Sequence, residues 1–384
     1  MLPDPGTSRR TRPAPRLARA FHHAGDSMSN ASEPAAFSFG RVLFIVVPLA
    51  LVAWAATLYS KALQSSAQAS LERTMAMRLL GDPGAAKLAD RYRDADGDLL
   101  ADPPADARQL LDPQEINFSY VASSEEENER ETWQELLAAL ESRLGRQVNL
   151  VSYADPAEQM RALQKGELHV TGFATGEVEK AVNEYGFIPA ACFADKDGKF
   201  SYSMKIIVAR DSDVKQLKDL KGRRLTFVRP RSNSGCTAAL VLLMKQHGLQ
   251  PERDYDWGFS FGHENSIRGV ADGRFSAAAV ASDILERMVA GGEVPADAFR
   301  VVYESEPYPP GVLGYVYNLA PGLREGVRQA LVDFDWAGSG LERRYGKAGS
   351  ARFAPVDYQR DWAPIRQINK TGRELFAKLE PTAA

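Results

Sequence analysis

The 384-residue chain sets 47 Lys and Arg against 50 Asp and Glu, for a formal net charge of −3, and 44% of it is hydrophobic. That balance is globular, and it excludes the basic face on which a nucleic-acid binder depends. The length exceeds the needs of one small core, so about two folding units plus appendages are expected. The two cysteines, Cys192 and Cys236, are isolated. They form no CxxC pair and no zinc spacing, and a single Cys192–Cys236 bridge stays open.

Residues 42–58, VLFIVVPLALVAWAATL, form an apolar run without a charge. It is just long enough to span a bilayer. Arg9, Arg10, Arg12, Arg16, Arg19 and Arg41 precede it, opposed only by Asp4, Asp26 and Glu33. By the positive-inside rule, residues 1–40 are a disordered cytoplasmic tail and the chain beyond the run is exported. Residues 41–59 read as an uncleaved transmembrane anchor. The alternative is a cleaved signal segment, with Ala67-Gln68-Ala69 as the cleavage motif and a soluble periplasmic product. Met28 is a second candidate start.

Residues 60–112, rich in Ala, Asp and Pro, read as a tether with a short helix at Leu71 to Leu80. Inside it Asp94, Asp96, Asp98 and Asp102 are separated by small or apolar residues. That spacing suits calcium, which collects oxygen ligands on a tight turn. It resembles the aspartate-rich repeats of thrombospondin type 3 but lacks the Gly after Asp98 and the closing Glu of an EF-hand. A solvated acidic linker is the competing reading, and no other cofactor is implied.

From Glu115 strands and helices alternate. Ile116–Val121 is a predicted strand. Trp133, Leu136, Leu137, Leu140 and Leu144 then follow helical spacing up to Gly145. Val148–Val151 is a strand, Pro156 to Lys165 a helix stopped by Gly166, and Leu168–Phe173, Phe187–Phe193 and Tyr202–Ala209 are strands. A second series follows: a strand at 224–228, a helix to Gly248, a strand near Tyr255–Phe261, a helix at 264–272 and a strand at Ser276–Ala281. Val301–Tyr303 and Val312–Asn318 return as strands, and amphipathic helices close the chain. This alternation implies two α/β units, one of which resumes near the C-terminus.

The sharpest chemical signal lies between Arg223 and Gly248. Leu225, Phe227 and Val228 read as a buried strand, and Ser232-Asn233-Ser234-Gly235 stands where the next helix begins. A helix start offers unpaired N–H groups and the positive end of the dipole, so this turn suits a small phosphorus or sulfur oxyanion. Plain helix capping by Ser and Asn is the competing explanation.

Five phrases occur in order: VASSE with Trp133-Gln134, LESRLGRQV, PAEQMRALQKGELHV after Tyr153, DLKGRRLTFVRPRSNSG, and FGHENSIRGVADGRFSAAAVASDILERM followed by ESEPYPPGVLGY. Together they resemble the solute-binding proteins of phosphate, phosphite and phosphonate ABC importers, over about residues 115–375. The resemblance implies an α/β, two-lobed type II periplasmic-binding-protein fold with a central ligand cleft, preceded by the N-terminal transmembrane helix and tether. The substrate-binding domain would be 113–384, with lobe one at 113–206 and 306–384 and lobe two at 207–305. It implies that Ser232, Asn233, Ser234 and Gly235 hold the oxyanion, that His263 faces it from the second lobe, and that Asp283 receives the amino group of an aminoalkylphosphonate. It also implies a hydroxyl from Tyr153. Where the family has a Gly-Pro, a polar residue and a tyrosine, this chain has Thr171-Gly-Phe-Ala-Thr175-Gly176. Thr175 then stands as donor, and the choice among phosphonate, phosphite and phosphate stays open. Glu306, Tyr202 and Ser203 are weaker candidates for the cleft. The implied partners are a small oxyanion, an ABC transporter permease and, through the N-terminal helix, the membrane. A sensor that reports ligand to a membrane partner is the alternative. No enzyme is expected: Ser234 and His263 lack a GxSxG elbow, and no Walker loop or metal triad is present.

Overall fold

The computed structural model describes residues 47–64, 84–121, 126–200 and 202–376. The expected cytoplasmic tail, the first residues of the apolar run, the helix at 71–80 and the phrase Ala122–Glu125 lie outside the described residues. The chain divides into two units, Met1–Ser66 and Ala67–Ala384. In the first, residues 47–64 form helix α1, whose Leu49, Leu51, Val52 and Trp54 side chains are exposed. Among the described residues no helix is long and apolar enough to cross a membrane.

The second unit holds two mixed sheets. In the first, β1 (Glu115–Ser119), β2 (Gln147–Leu150) and β3 (Val170–Phe173) are parallel, and β4 (Phe187–Ala194), β10 (Val312–Val316) and β11 (Arg352–Pro355) join antiparallel, in the order β11-β4-β10-β3-β1-β2. In the second, β6 (Arg224–Phe227), β7 (Asp256–Phe259) and β8 (Ala277–Ala281) are parallel. β5 (Met204–Ala209) and β9 (Phe299–Glu304) complete it in the order β7-β6-β8-β5-β9. Crossover helices follow the parallel strands: α2 (Glu126–Leu144), α3 (Pro156–Lys165) and α4 (Val178–Tyr185) in lobe one, α6 (His263–Ala271) and α7 (Ser282–Ala290) in lobe two. Helix α3 shows how locally such boundaries are written. Asp155 Oδ1 accepts the N–H groups of Ala157 and Glu158 at 2.7 and 2.9 Å, Pro156 opens the first turn, and Gly166 closes the last at φ 71°.

The core of lobe one is aromatic. Trp133 of α2 packs on Phe118 and Tyr120 with ring centroids 5.4 and 4.5 Å apart, and Phe193 meets Trp336 and Phe353. Lobe two packs Ile207, Val280 and Ala278 of its sheet against Ile267, Val270 and Met288 of α6 and α7. Cys192 and Cys236 are both buried and free.

The chain passes between lobes at Tyr202–Ser203 and again at Ser305–Tyr308. There Tyr202 and Tyr308 exchange backbone bonds at 2.9 and 2.7 Å, and the Met204 N–H donates to Ser305 Oγ at 2.9 Å. Met204, Lys205 and Ile206 pair with β8, so lobe two starts ahead of the expected residue 207. The helix after the Ser-rich turn is continuous but irregular: π-type turns at Asn233–Thr237 and Leu242–Gln246 flank α5 (Ala238–Val241). The C-terminal helix (Ala363–Phe376) lies against α5, while its Asn369 Nδ2 donates to Glu179 of α4 at 2.6 Å, so it touches both lobes. The expected run of closing helices is interrupted by β11, whose four residues pair with β4.

The tether expectation is corrected from residue 84 onward. The Ala85 N–H donates to Glu184 at 2.7 Å, and Ala89 to the carbonyl of Asn183 at 2.8 Å. Leu88, Tyr92, Leu99 and Leu100 pack against the core, and Ala101 is buried. The aspartates act as local acceptors. Asp94 takes the N–H groups of Gly97 and Leu99, Asp96 that of Asp98, Asp98 that of Leu100, and Asp102 that of Ala95. Asp94, Asp96 and Asp98 bring one carboxylate oxygen each within 4.8 Å of the others. Burial is the main cause raising Asp98 above the usual carboxylate range.

A chain starting at residue 103 should therefore be less stable than one starting at residue 84. The expected loss is about 2–4 kcal/mol from the apolar contacts removed, read from denaturant midpoints at constant slope. Equal midpoints would show that residues 84–102 are a passive strap.

Candidate functional site

Five positions between the sheets follow the carboxyl ends of strands, where open α/β sheets leave a crevice. Tyr120 follows β1, Thr175 follows β3, Ser232–Gly235 follow β6, His263 follows β7 and Asp283 follows β8.

Beyond β6 the chain turns back on itself. The Val228 N–H donates to the Gly235 carbonyl at 2.8 Å, and Ser232, the helix cap, accepts the Gly235 N–H on Oγ at 3.1 Å. A Cβ at Gly235 would stand 2.6 Å from both Ser232 Oγ and Val228 Cβ, so only glycine lets the helix start lie this close to the strand. Asn233 and Ser234 are buried. Asn233 Nδ2 donates to the Tyr202 hydroxyl at 3.1 Å, and the Thr175 and Ser234 hydroxyls lie near enough to act on that phenol. Burial pushes Tyr202 up to about 12, which keeps it protonated. A hydrogen bond thus ties the crossover to the helix start in lobe two, with Thr175 of lobe one close to the same phenol. Thr175 Oγ1 itself donates to the Pro309 carbonyl at 2.9 Å.

His263 Nδ1 accepts the Ala281 N–H at 3.0 Å, which leaves the ring proton on Nε2, 3.3 Å from Ser232 Oγ. Burial, aided by Arg229, lowers His263 to about 3. It is therefore a neutral donor at any ordinary pH. Asp283 lies in the first turn of α7, where the backbone N–H groups of Ile284 and of Asp283 itself act to lower its carboxyl. Burial nonetheless raises it to about 6. Its Oδ1, like Asn233 Oδ1, is buried and meets no hydrogen-bond donor among the described residues.

Thr175, Ser232, Asn233, Ser234, Gly235 and His263 come together, and Asp283 lies near enough to act on the Tyr202 phenol. Tyr153 does not join them. It is half-buried, and among the described residues no hydrogen bond ties it to this cluster; burial and the charge of Glu167 raise its phenol. Glu306 is exposed beside Tyr303 and Tyr308. Ser203 is buried, and its N–H donates to Ser282 Oγ at 2.9 Å, a hinge contact. Sequence reasoning missed Tyr120. Its ring packs at a tilt on Trp133, and its phenol is raised mainly by burial, with Asp283 among the charges acting on it from the other lobe. Its place one residue past β1 was the available signal.

A protein-family model described as ABC transporter, phosphonate, periplasmic substrate-binding protein matches residues 118–362. The phosphonates-binding periplasmic protein of Escherichia coli (strain K12) is 22% identical over 255 residues, 65% of this chain and 71% of that protein. The phosphate-import protein PhnD of Mycolicibacterium smegmatis is 22% identical over 204 residues, 50% of this chain and 64% of that protein. Among solved structures, the binding protein component of an ABC phosphonate transporter from Pseudomonas aeruginosa superposes with a TM-score of 0.60 at 18% identity, covering 71% of this chain and 90% of the other. PhnD1 from Prochlorococcus marinus, in complex with methylphosphonate, gives 0.56 at 15% identity, covering 69% and 99%. These likenesses agree with the two-sheet architecture, and the family is one of transport binding proteins rather than enzymes. The chain belongs to the periplasmic substrate-binding proteins of phosphonate ABC transporters.

Proposed function

We propose that this protein captures a phosphonate, phosphite or phosphate-type oxyanion between its lobes and delivers it to an ABC permease. The observation that carries the reading is the donor set at the helix start. Ser232, Asn233 and Ser234 converge with the Nε2–H of a neutral His263 on one turn, facing the other lobe. Neutral donors and the helix dipole share the load of a dianion without a full counter-charge. Asp283, with one buried oxygen unpartnered, suits a ligand whose far end is a cation.

The anchor is part of the same proposal. The uncharged run 42–58 begins before the described part of α1, and the exposed Leu49, Leu51, Val52 and Trp54 give that helix an apolar surface. The binding domain would then sit in the periplasm on a single-pass anchor. A full-length chain that runs on gels at the size of a signal-cleaved product would overturn the anchor and leave the binding reading intact.

The first experiment is a thermal-shift screen of the full chain with phosphate, phosphite, sulfate, methylphosphonate and 2-aminoethylphosphonate. A ligand far above its dissociation constant raises the melting temperature by mass action. A selective rise with one phosphorus compound supports the reading; no rise with any of them counts against it. Ser234→Ala should then weaken the bound oxyanion by about 1–3 kcal/mol, measured by calorimetry. An unchanged affinity would remove Ser234 from the site.

Asp283 gives a pH signature. Its carboxyl is raised to about 6, so acidification from pH 7 to 5 neutralises it in the free protein. Only the ionised form pairs with an ammonium. Affinity for 2-aminoethylphosphonate should fall about tenfold more than that for methylphosphonate over this range. Asp283→Asn should abolish the difference between the two ligands. His263, lowered to about 3, stays neutral throughout and adds no slope. Parallel pH profiles for both ligands would assign Asp283 to the start of α7 alone.

A further inference from the structure

The loop that precedes α4 in lobe one lies directly on the turn that begins the candidate oxyanion site in lobe two. A Cβ at Gly176 would stand 2.2 Å from the Arg231 carbonyl oxygen and 3.0 Å from the Asn233 nitrogen. Two backbones from different lobes therefore meet with no space for a side chain. Next to this contact Arg231 Nη1 lies 3.3 Å from Glu177 Oε2, and the two side chains are only 23% and 7% exposed. No other ion pair between the lobes occurs among the described residues. Arg229 and Lys180 also act on Glu177.

We propose that Glu177 and Arg231, seated by Gly176, form a latch that sets ligand affinity by holding the two lobes closed. This rests on the cleft being the ligand site. The turn at 231–233 is the common element: Ser232 and Asn233 are candidate oxyanion donors, and the Arg231 carbonyl and the Asn233 nitrogen lie against Gly176 of lobe one. Closing the lobes takes the Glu177 carboxylate out of water, which is tolerable only while a guanidinium faces it. Removing either charge leaves the other buried in the closed form and solvated in the open one, so the balance moves towards open. Affinity then falls by the fraction of closed protein lost, and the change appears in the dissociation rate because the lobes must part for ligand to leave. Glu177 and Arg231 are positioning residues on this account and do not touch the ligand.

The test joins a ligand-free readout to a kinetic one. Interlobe distance is measured by paired spin labels on the two lobes of the full chain, in wild type, Glu177→Gln, Arg231→Ala and the exchanged pair Glu177→Arg with Arg231→Glu. Both single variants should shift the distances towards a wider state, and the exchanged pair should restore the narrow one. Gly176→Ala, which forces a methyl into the carbonyl of Arg231, should widen them without changing any charge. With inorganic phosphate and methylphosphonate as probes, the single variants should release ligand about tenfold faster, about 1.4 kcal/mol, with association within about twofold of wild type. Distances unchanged in both single variants would overturn the latch. So would single variants that release ligand at the wild-type rate, or an exchanged pair that binds as poorly as they do, since the latter means that Arg231 meets the ligand itself. Wild type that binds neither probe while the single variants still open would sink the proposed ligand and leave the latch standing.

Discussion

A helix can present its first N–H groups to a ligand only if something fixes that first turn against a rigid support. Here the support is β6. Gly235 lies against Val228, the Val228 N–H bonds back to the Gly235 carbonyl, and Ser232 caps the turn by accepting the Gly235 N–H. One missing Cβ thus brings the helix start onto the sheet, and the rest of the cleft is arranged around it. His263 is oriented by the Ala281 N–H so that its remaining proton points at Ser232, and Ala281 leads directly into α7 and Asp283. Three consecutive parallel strands of lobe two therefore report to one spot, held by backbone bonds rather than by flexible side chains.

Desolvation dominates the electrostatics of this spot. It pushes Tyr202 up, His263 down and Asp283 up, in each case towards the neutral form, and no neighbouring charge reverses the sign. The cleft therefore offers dipoles in place of charges. Fixed dipoles in a region of low dielectric interact strongly with an ion yet cost little to keep buried while the lobes are closed. Asp283 is the exception by degree: a carboxyl near 6 is ionised at neutral pH.

What was legible in the sequence was local. The helix start at Ser232-Asn233-Ser234-Gly235, the capped helix from Pro156 to Gly166, and the strand–helix alternation all follow from neighbours within a few residues, and the structure places them within a residue or three of where they were expected. What was not legible depended on distant partners. The stretch 84–102 looked like a tether because its few apolar residues gain value only against Tyr317 and α4, far along the chain. Strand β11 reads as four unremarkable residues until β4 offers it an edge. Tyr120 is one aromatic among thirteen tyrosines until the topology sets it at the end of β1 opposite Asp283. Tyr153 differs in kind: it was carried over as a family position, and among the described residues no hydrogen bond ties it to the cluster, the charge acting on its phenol being that of Glu167.

The two arginines of the phrase Arg229-Pro-Arg231 pose the remaining question, since guanidinium groups beside an anion site would ordinarily be taken as its counter-ions. Arg231 is paired with Glu177 and turned towards lobe one, and Arg229 acts on both Glu177 and His263. Glu177 answers Arg231 across the lobe boundary, while the charge of Arg229 still reaches His263 and helps to keep that donor neutral. The consequence is a division of labour within seven residues. In the proposed reading the charges fix how tightly the lobes meet and the dipoles fix what they meet around. A binding protein that must also release its ligand gains from keeping these separate, because closure can then be weakened without altering the geometry that selects the oxyanion.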